Sequence, residues 1–102
     1  MKKNEKFTIL AKITILPGFE AGVKAAARQV WKETIKESGC EMFLYNSESG
    51  TENIIYFLEV FLTMEAFNVH LELEHTKDFL SYIKGKVVGD FSEQTFLDRI
   101  EE

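Results

Sequence analysis

Hydrophobic positions along this chain change period several times, and each change marks an element. From Phe7 to Leu16 the residues alternate, with Phe7, Ile9, Ala11, Ile13 and Ile15 on one face and Thr8, Leu10, Lys12, Thr14 and Leu16 on the other. Period two predicts a strand, and Pro17-Gly18 stops it. From Phe19 the period becomes helical. Phe19, Val23, Ala26, Ala27, Val30, Thr34 and Ile35 form one stripe, and Glu20, Lys24, Arg28, Lys32, Glu33 and Lys36 lie opposite. This predicts an amphipathic helix of about five turns, ended by Gly39 in the left-handed conformation. Cys40 to Asn46 and Ile54 to Leu62 predict two more strands, joined by a hairpin loop at Ser47 to Glu52. Thr63 is suited to cap a helix carrying Ala66, Phe67, His70 and Leu71. A break near Glu74 to Thr76 leads into a short helix with Phe79, Leu80 and Ile83, closed by Gly85. Val87 to Leu97 returns to β character, with Gly89 a bulge or a point of close approach. Leu97 to Glu102 reads as a charged tail.

The order β-α-β-β-α-β predicts an α+β, ferredoxin-like domain with an antiparallel sheet, spanning residues 1–102 with its core at about 7–97. Both helices on one face leave the other face of the sheet to be covered. That second face is not polar: the third strand offers Ile55, Phe57 and Phe61 on one side and Tyr56, Leu58 and Val60 on the other, and Leu10 and Leu16 add to the minority face of the first strand. A sheet apolar on both sides needs a second layer. Pairing with a second copy is the simplest way to supply it, so a homodimer is expected.

Composition narrows the partners. The formal charge of −5 argues against nucleic acid or an anionic membrane surface, and no stretch approaches the ~20 apolar residues of a spanning helix. The start, Met1 to Lys6, is basic but runs straight into the first strand without a signal-peptide core, so a cytoplasmic location is expected. The single cysteine, Cys40, can make no internal disulfide. Gly-rich phosphate loops, Gly-x-Ser-x-Gly and paired-cysteine motifs are all missing from the sequence.

Several short pieces, in order, resemble a known family. They are Leu16-Pro17-Gly18, a long helix, Gly39-Cys40, Phe57-Leu58-Glu59-Val60-Phe61, and Glu65-Ala66-Phe67 leading to His70 and then His75. The pattern is similar to the antibiotic biosynthesis monooxygenase superfamily of small dimeric α+β barrels, over roughly residues 7 to 97. The resemblance implies a homodimer whose two sheets face each other and a pocket in each protomer between sheet and helices. Activities in that superfamily include cofactor-independent oxygenation of phenols and quinols, haem degradation and isomerisation of small signalling metabolites. The chain departs from the pattern in having Phe61 where members often carry Trp, and Leu73-Glu74 before His75 where Ser-Pro or Thr-Pro is common. The Asn, Trp and His on which the haem-degrading branch relies fall at Ala11, His70 and Leu80, so that triad is not present. Haem is disfavoured and no cofactor is expected.

The candidate chemistry is sparse. His70 and His75 are the only histidines. Five residues apart, they lie about 500° around a helix and share no face unless it breaks between them. Zinc pairs prefer closer spacing, and no metal is expected. Either histidine can act as a general base, taking a phenolic proton to make a substrate electron-rich enough to meet O₂, or shuttling a proton in an isomerisation. His75 is the first choice and His70 the second; the alternative for both is a capping role at the helix break. Glu59 sits inside an apolar run, so an inward side chain would have a raised pKa; the blander reading, slightly preferred, pairs it with a lysine such as Lys12. Tyr56 is the candidate anchor for a substrate oxygen. Phe61, Phe67 and Phe79 would line an apolar pocket, while Trp31 suits helix-to-sheet packing better than ligand contact. Together these residues predict a monooxygenase acting on a small aromatic or quinol-like molecule. Alternatives are a ligand- or haem-binding module without turnover, an isomerase of a small signalling metabolite, or an interaction scaffold with a filled pocket.

Overall fold

The computed structural model describes residues 6–100. The basic start at Met1 to Glu5 and the end of the charged tail at Glu101 and Glu102 lie outside them. The described residues form β1 (Phe7–Thr14), α1 (Glu20–Thr34), β2 (Cys40–Ser47), β3 (Ile54–Phe61), α2 (Met64–Glu72), α3 (Glu74–Ile83) and β4 (Glu93–Leu97), with a short 3₁₀ turn at Val88–Asp90. The sheet order is β2-β3-β1-β4 and every pairing is antiparallel. This is the ferredoxin-like α+β plan, with its second helix in two pieces.

The alternation in β1 does what it predicts. Phe7, Ile9, Ala11 and Ile13 are buried beneath the helices, joined by Ile55, Phe57 and Phe61 of β3. Helix α1 packs Val23, Ala27, Val30 and Thr34 inward. Its two ends of the predicted stripe, Phe19 and Ile35, remain exposed. Two side-chain bonds tie α1 to the sheet: the Trp31 indole N–H donates to the Phe43 carbonyl at 2.9 Å, and the Tyr45 hydroxyl donates to the Lys24 carbonyl at 3.0 Å.

Several local expectations are corrected. Helix α1 ends with Ile35 still right-handed, and Gly39 is not among the glycines with positive φ. Gly39 is needed for a different reason: a Cβ there would stand 2.5 Å from Cβ of Ala66, so only glycine lets α2 approach. The following strand carries a bulge between Cys40 and Met42. One extra residue there turns both Cys40 and Phe43 to the helical side, which an unbroken period of two cannot do. The helix break falls at Leu73 (φ −75°, ψ 148°), just before the predicted site, and Thr63 caps α2 by accepting from the Ala66 N–H at 3.0 Å. The predicted strand from Val87 is mostly turn. Val87 makes only an isolated bridge to Ile15, and Gly89 and Asp90 both take positive φ.

The far face of the sheet is divided. Thr8, Leu10, Met42, Leu44, Leu58, Val60 and Leu97 make an apolar end, while Lys12, Thr14, Asn46, Tyr56 and Glu93 make a polar one. The face is therefore not apolar throughout, but Leu44 is 45% exposed and Leu97 38% in the single chain.

Close packing at Gly39 gives a stability test. Gly39→Ala overpacks the α2 contact and is expected to lower unfolding free energy by about 1–3 kcal/mol. Adding Ala66→Gly should recover part of that loss, less the helix-propensity cost of about 1 kcal/mol. Urea denaturation of the three chains measures both effects; an unchanged midpoint in Gly39→Ala would remove the packing argument.

Candidate functional site

Three polar side chains from three separate segments converge between the helices and the sheet edge. Glu37 lies in the turn after α1, His70 in the last turn of α2, and His75 in the first turn of α3. A continuous helix would hold the two imidazoles on different faces. The break at Leu73 redirects the chain so that both reach the same oxygen. Nδ1 of His70 is 2.7 Å and Nε2 of His75 is 2.6 Å from Oε2 of Glu37. Side-chain exposure is 7% for His70, 9% for Glu37 and 22% for His75.

An ionised carboxylate only accepts hydrogen bonds, so each imidazole presents an N–H to it. For His70 this puts the proton on Nδ1 and leaves Nε2 bare when the ring is neutral. The Thr76 hydroxyl lies 3.3 Å from the same Nδ1. Burial holds the His70 pKa below its ordinary value, against the opposing pull of the Glu37 hydrogen bond and charge. The ring is walled by aromatics, with the Phe61 centroid 4.9 Å away and those of Phe67 and Phe43 at 6.1 and 6.2 Å.

His70 borders an apolar chamber under the sheet. Its cavity volume is about 50 Å³, within about 440 Å³ of atom-free space that includes open solvent at the mouth. Ala11, Ile13, Val30, Phe43, Phe57, Phe67 and Phe79 give it apolar walls; Glu59, His70 and Thr76 are its buried polar groups; Leu71, Leu80, Ser92 and Gln94 complete the lining. Glu59 faces inward, as its place in β3 requires. Its strand neighbour is Ile9, whereas Lys12 sits opposite Tyr56 on the other face, so the lysine pairing does not form. Burial first, and the nearby Glu37 charge second, push the Glu59 pKa up to about 8. The carboxyl is therefore mostly protonated at neutral pH and can donate a hydrogen bond into the chamber.

The sequence-based candidates separate in space. His70, Glu59, Phe67 and Phe79 share the chamber. Phe61 is fully buried behind His70 and acts as backing. His75 lies outside the chamber, on a groove of about 320 Å³ between α1 and α3. Tyr56 is on the far face of the sheet, where its hydroxyl donates to Glu48 at 2.8 Å. Trp31 is committed to the Phe43 carbonyl. Cys40 is half-buried, its thiol pushed up to about 11 by burial, Glu37 and Glu59, so it is no nucleophile at neutral pH. Sequence reasoning missed Glu37. One weak signal was available: an acidic residue just past a helix C-terminus sits where the helix dipole favours a cation.

Glu37, His70 and His75 also form the one grouping among the described residues with the donor set for a metal, their ligand atoms lying within 4.8 Å of one another. Their short contacts have hydrogen-bond lengths. Around a tetrahedral zinc with bonds near 2.0–2.1 Å the ligand atoms would stand about 3.3 Å apart, so the array must open to admit one.

Stability should report the state of Glu59. A group whose folded pKa exceeds its unfolded value binds more protons in the native state, so its stabilisation is full below about pH 4.5 and is lost as pH rises through about 8. Glu59→Gln removes that dependence. The variant is expected to match the parent near pH 4.5 and to exceed it by about 3 kcal/mol near pH 7, measured by urea unfolding across pH 4.5–8.5. A gap that does not widen with pH would place Glu59 in water.

Comparison with known proteins agrees with this architecture. The family model described as antibiotic biosynthesis monooxygenase matches residues 6–82. No curated protein matches the sequence. Among solved structures, PA3566 from Pseudomonas aeruginosa superposes with TM-score 0.89 at 19% identity, covering 99% of this chain and 100% of that one. Rv0793 from Mycobacterium tuberculosis gives TM-score 0.88 at 14% identity, covering 96% and 98%. A candidate antibiotic biosynthesis monooxygenase from Nitrosomonas europaea gives 0.86 at 12%, covering 98% and 94%. At these identities the likeness carries the fold alone.

Proposed function

Because the chain belongs to the antibiotic biosynthesis monooxygenase family, we propose that it oxygenates a small phenol or quinol at the chamber beside His70, without a metal or flavin. The observation that carries this reading is the pairing of His70 and Glu59 on one apolar chamber. Burial keeps the first a neutral base and the second a neutral acid. Those are opposite proton functions, set by environment.

The size of the chamber shapes the pose. A dry cavity of about 150 Å³ can hold a benzene ring; the 50 Å³ here cannot. It has room for a diatomic molecule such as O₂ or for a few waters at most. The ring therefore lies in the mouth, near Leu71, Leu80 and Gln94, with only its reacting edge inside. Nε2 of His70 removes the hydroxyl proton, and the phenolate so formed is electron-rich enough to reduce O₂ in a water-poor space. For a simple quinol the balance is one quinol plus O₂ giving one hydroxyquinone plus water. Glu59 donates to the developing oxygen anion. His75 has no access to this chamber, so the base is His70.

Oxygen uptake with a panel of single-ring quinols tests the reading. Turnover is expected, and His70→Ala should lower kcat/KM by about 10²-fold or more. Absence of uptake with every quinol would overturn it in favour of a binding module for a small apolar ligand.

The same family membership supports a homodimer, with the apolar end of the far sheet face as the joint. Light scattering should give twice the chain mass of 11.8 kDa. Leu58→Lys, at the centre of that face, is expected to shift the protein toward monomer; a parent that is already monomeric at micromolar concentration would refute the joint.

A further inference from the structure

Each member of the histidine cluster borders a different space; Glu37 itself lines a groove of about 310 Å³ with Ser38, Gly39, Ala66, Val69 and Leu73. His70 opens on the inner chamber. His75 lines the groove between α1 and α3, together with Glu33 of α1 and Asp78 and Tyr82 of α3. Val30 and Phe79 line both, so one apolar layer divides them. The polar link across it is Oε2 of Glu37, bonded to His70 at 2.7 Å and to His75 at 2.6 Å.

A carboxylate carries one negative charge, and here two imidazoles share a single oxygen of it. We propose that Glu37 is the positioning residue of the chamber, holding His70 with its Nε2 bare, while the same oxygen anchors His75. This rests on His70 being the base, as proposed above, and assigns roles to Glu37 and His75 that the chamber alone does not. When His70 takes a substrate proton at Nε2 it becomes an imidazolium in an apolar space, and an adjacent carboxylate is what makes that ion tolerable. His75 is bonded to the same oxygen, so the carboxylate is anchored from its other side as well.

Near neutral pH, Glu59 of β3, its pKa pushed up to about 8, is mostly protonated and Cys40 of β2 remains a thiol, so neither gives His70 a second full anion. Glu33 and Asp78 lie on the groove and not on the chamber. Thr76 of α3 touches Nδ1 of His70 but brings no charge.

Long-range ¹⁵N–¹H spectra of the histidine side chains test this without any substrate. In the full chain, neutral His70 is expected as the tautomer protonated at Nδ1. Glu37→Gln keeps the shape and an acceptor oxygen but not the charge; it should populate the other tautomer of His70. His75→Ala should leave the tautomer fixed, because the contact of Glu37 with His70 remains. His70 found mainly as the Nε2–H tautomer in the parent, or unchanged in Glu37→Gln, would overturn the proposal. Where quinol turnover is present, Glu37→Gln should lower kcat about 10- to 100-fold with KM changed less than about twofold. Turnover that is absent while the tautomer is fixed sinks only the oxygenase reading; turnover that persists with the tautomer free sinks only this one.

Discussion

A carboxylate taken out of water must be hydrogen-bonded or neutralised, and in this chain that demand falls on Glu37. Its side chain is almost covered by the meeting of α1, α2 and α3, and its oxygen is satisfied by two imidazoles. The helix break at Leu73 gains its purpose from this contact. Without it, His70 and His75 would point apart; with it, the end of α1 is joined to both pieces of the second helical segment. Gly39 contributes from the other side by letting Ala66 come close enough for α2 to reach the turn.

Glu59 meets the same demand in the opposite way. It lies on the helical face of β3 with Ile9 as its strand neighbour, where burial dominates, so protonation is the cheaper state. The two carboxylates are close enough to feel each other, and the charge kept on Glu37 helps to neutralise Glu59. One fold thus holds an ionised acceptor and a neutral donor within one polar cluster, with the neutral His70 between an anion and an aromatic wall. Separation of proton functions by environment is what acid–base chemistry near neutral pH requires.

Much of the scaffold is legible in the sequence alone. Alternation in β1 and the 3.6 period of α1 fix which residues face inward because each period follows from backbone geometry alone. The Thr63 cap and the stop at Gly85 are equally local. The errors share a different cause. The bulge between Cys40 and Met42, the close approach at Gly39 and the turn at Val88–Asp90 are set by a neighbouring element, not by residues nearby in sequence.

The candidate site divides along the same line. Residue types and pattern identified His70, Glu59, Phe67 and Phe79, because an ionisable group within an apolar run is conspicuous in one dimension. The choice between the histidines, the removal of Tyr56 to the far face and the entry of Glu37 belong to the tertiary structure. Glu37 is 33 residues from His70 and 38 from His75, and no local rule joins such positions. Sequence by itself determined which faces are buried, since that depends on period; only the packed chain decided which polar groups share one oxygen, since that depends on where three separate segments end.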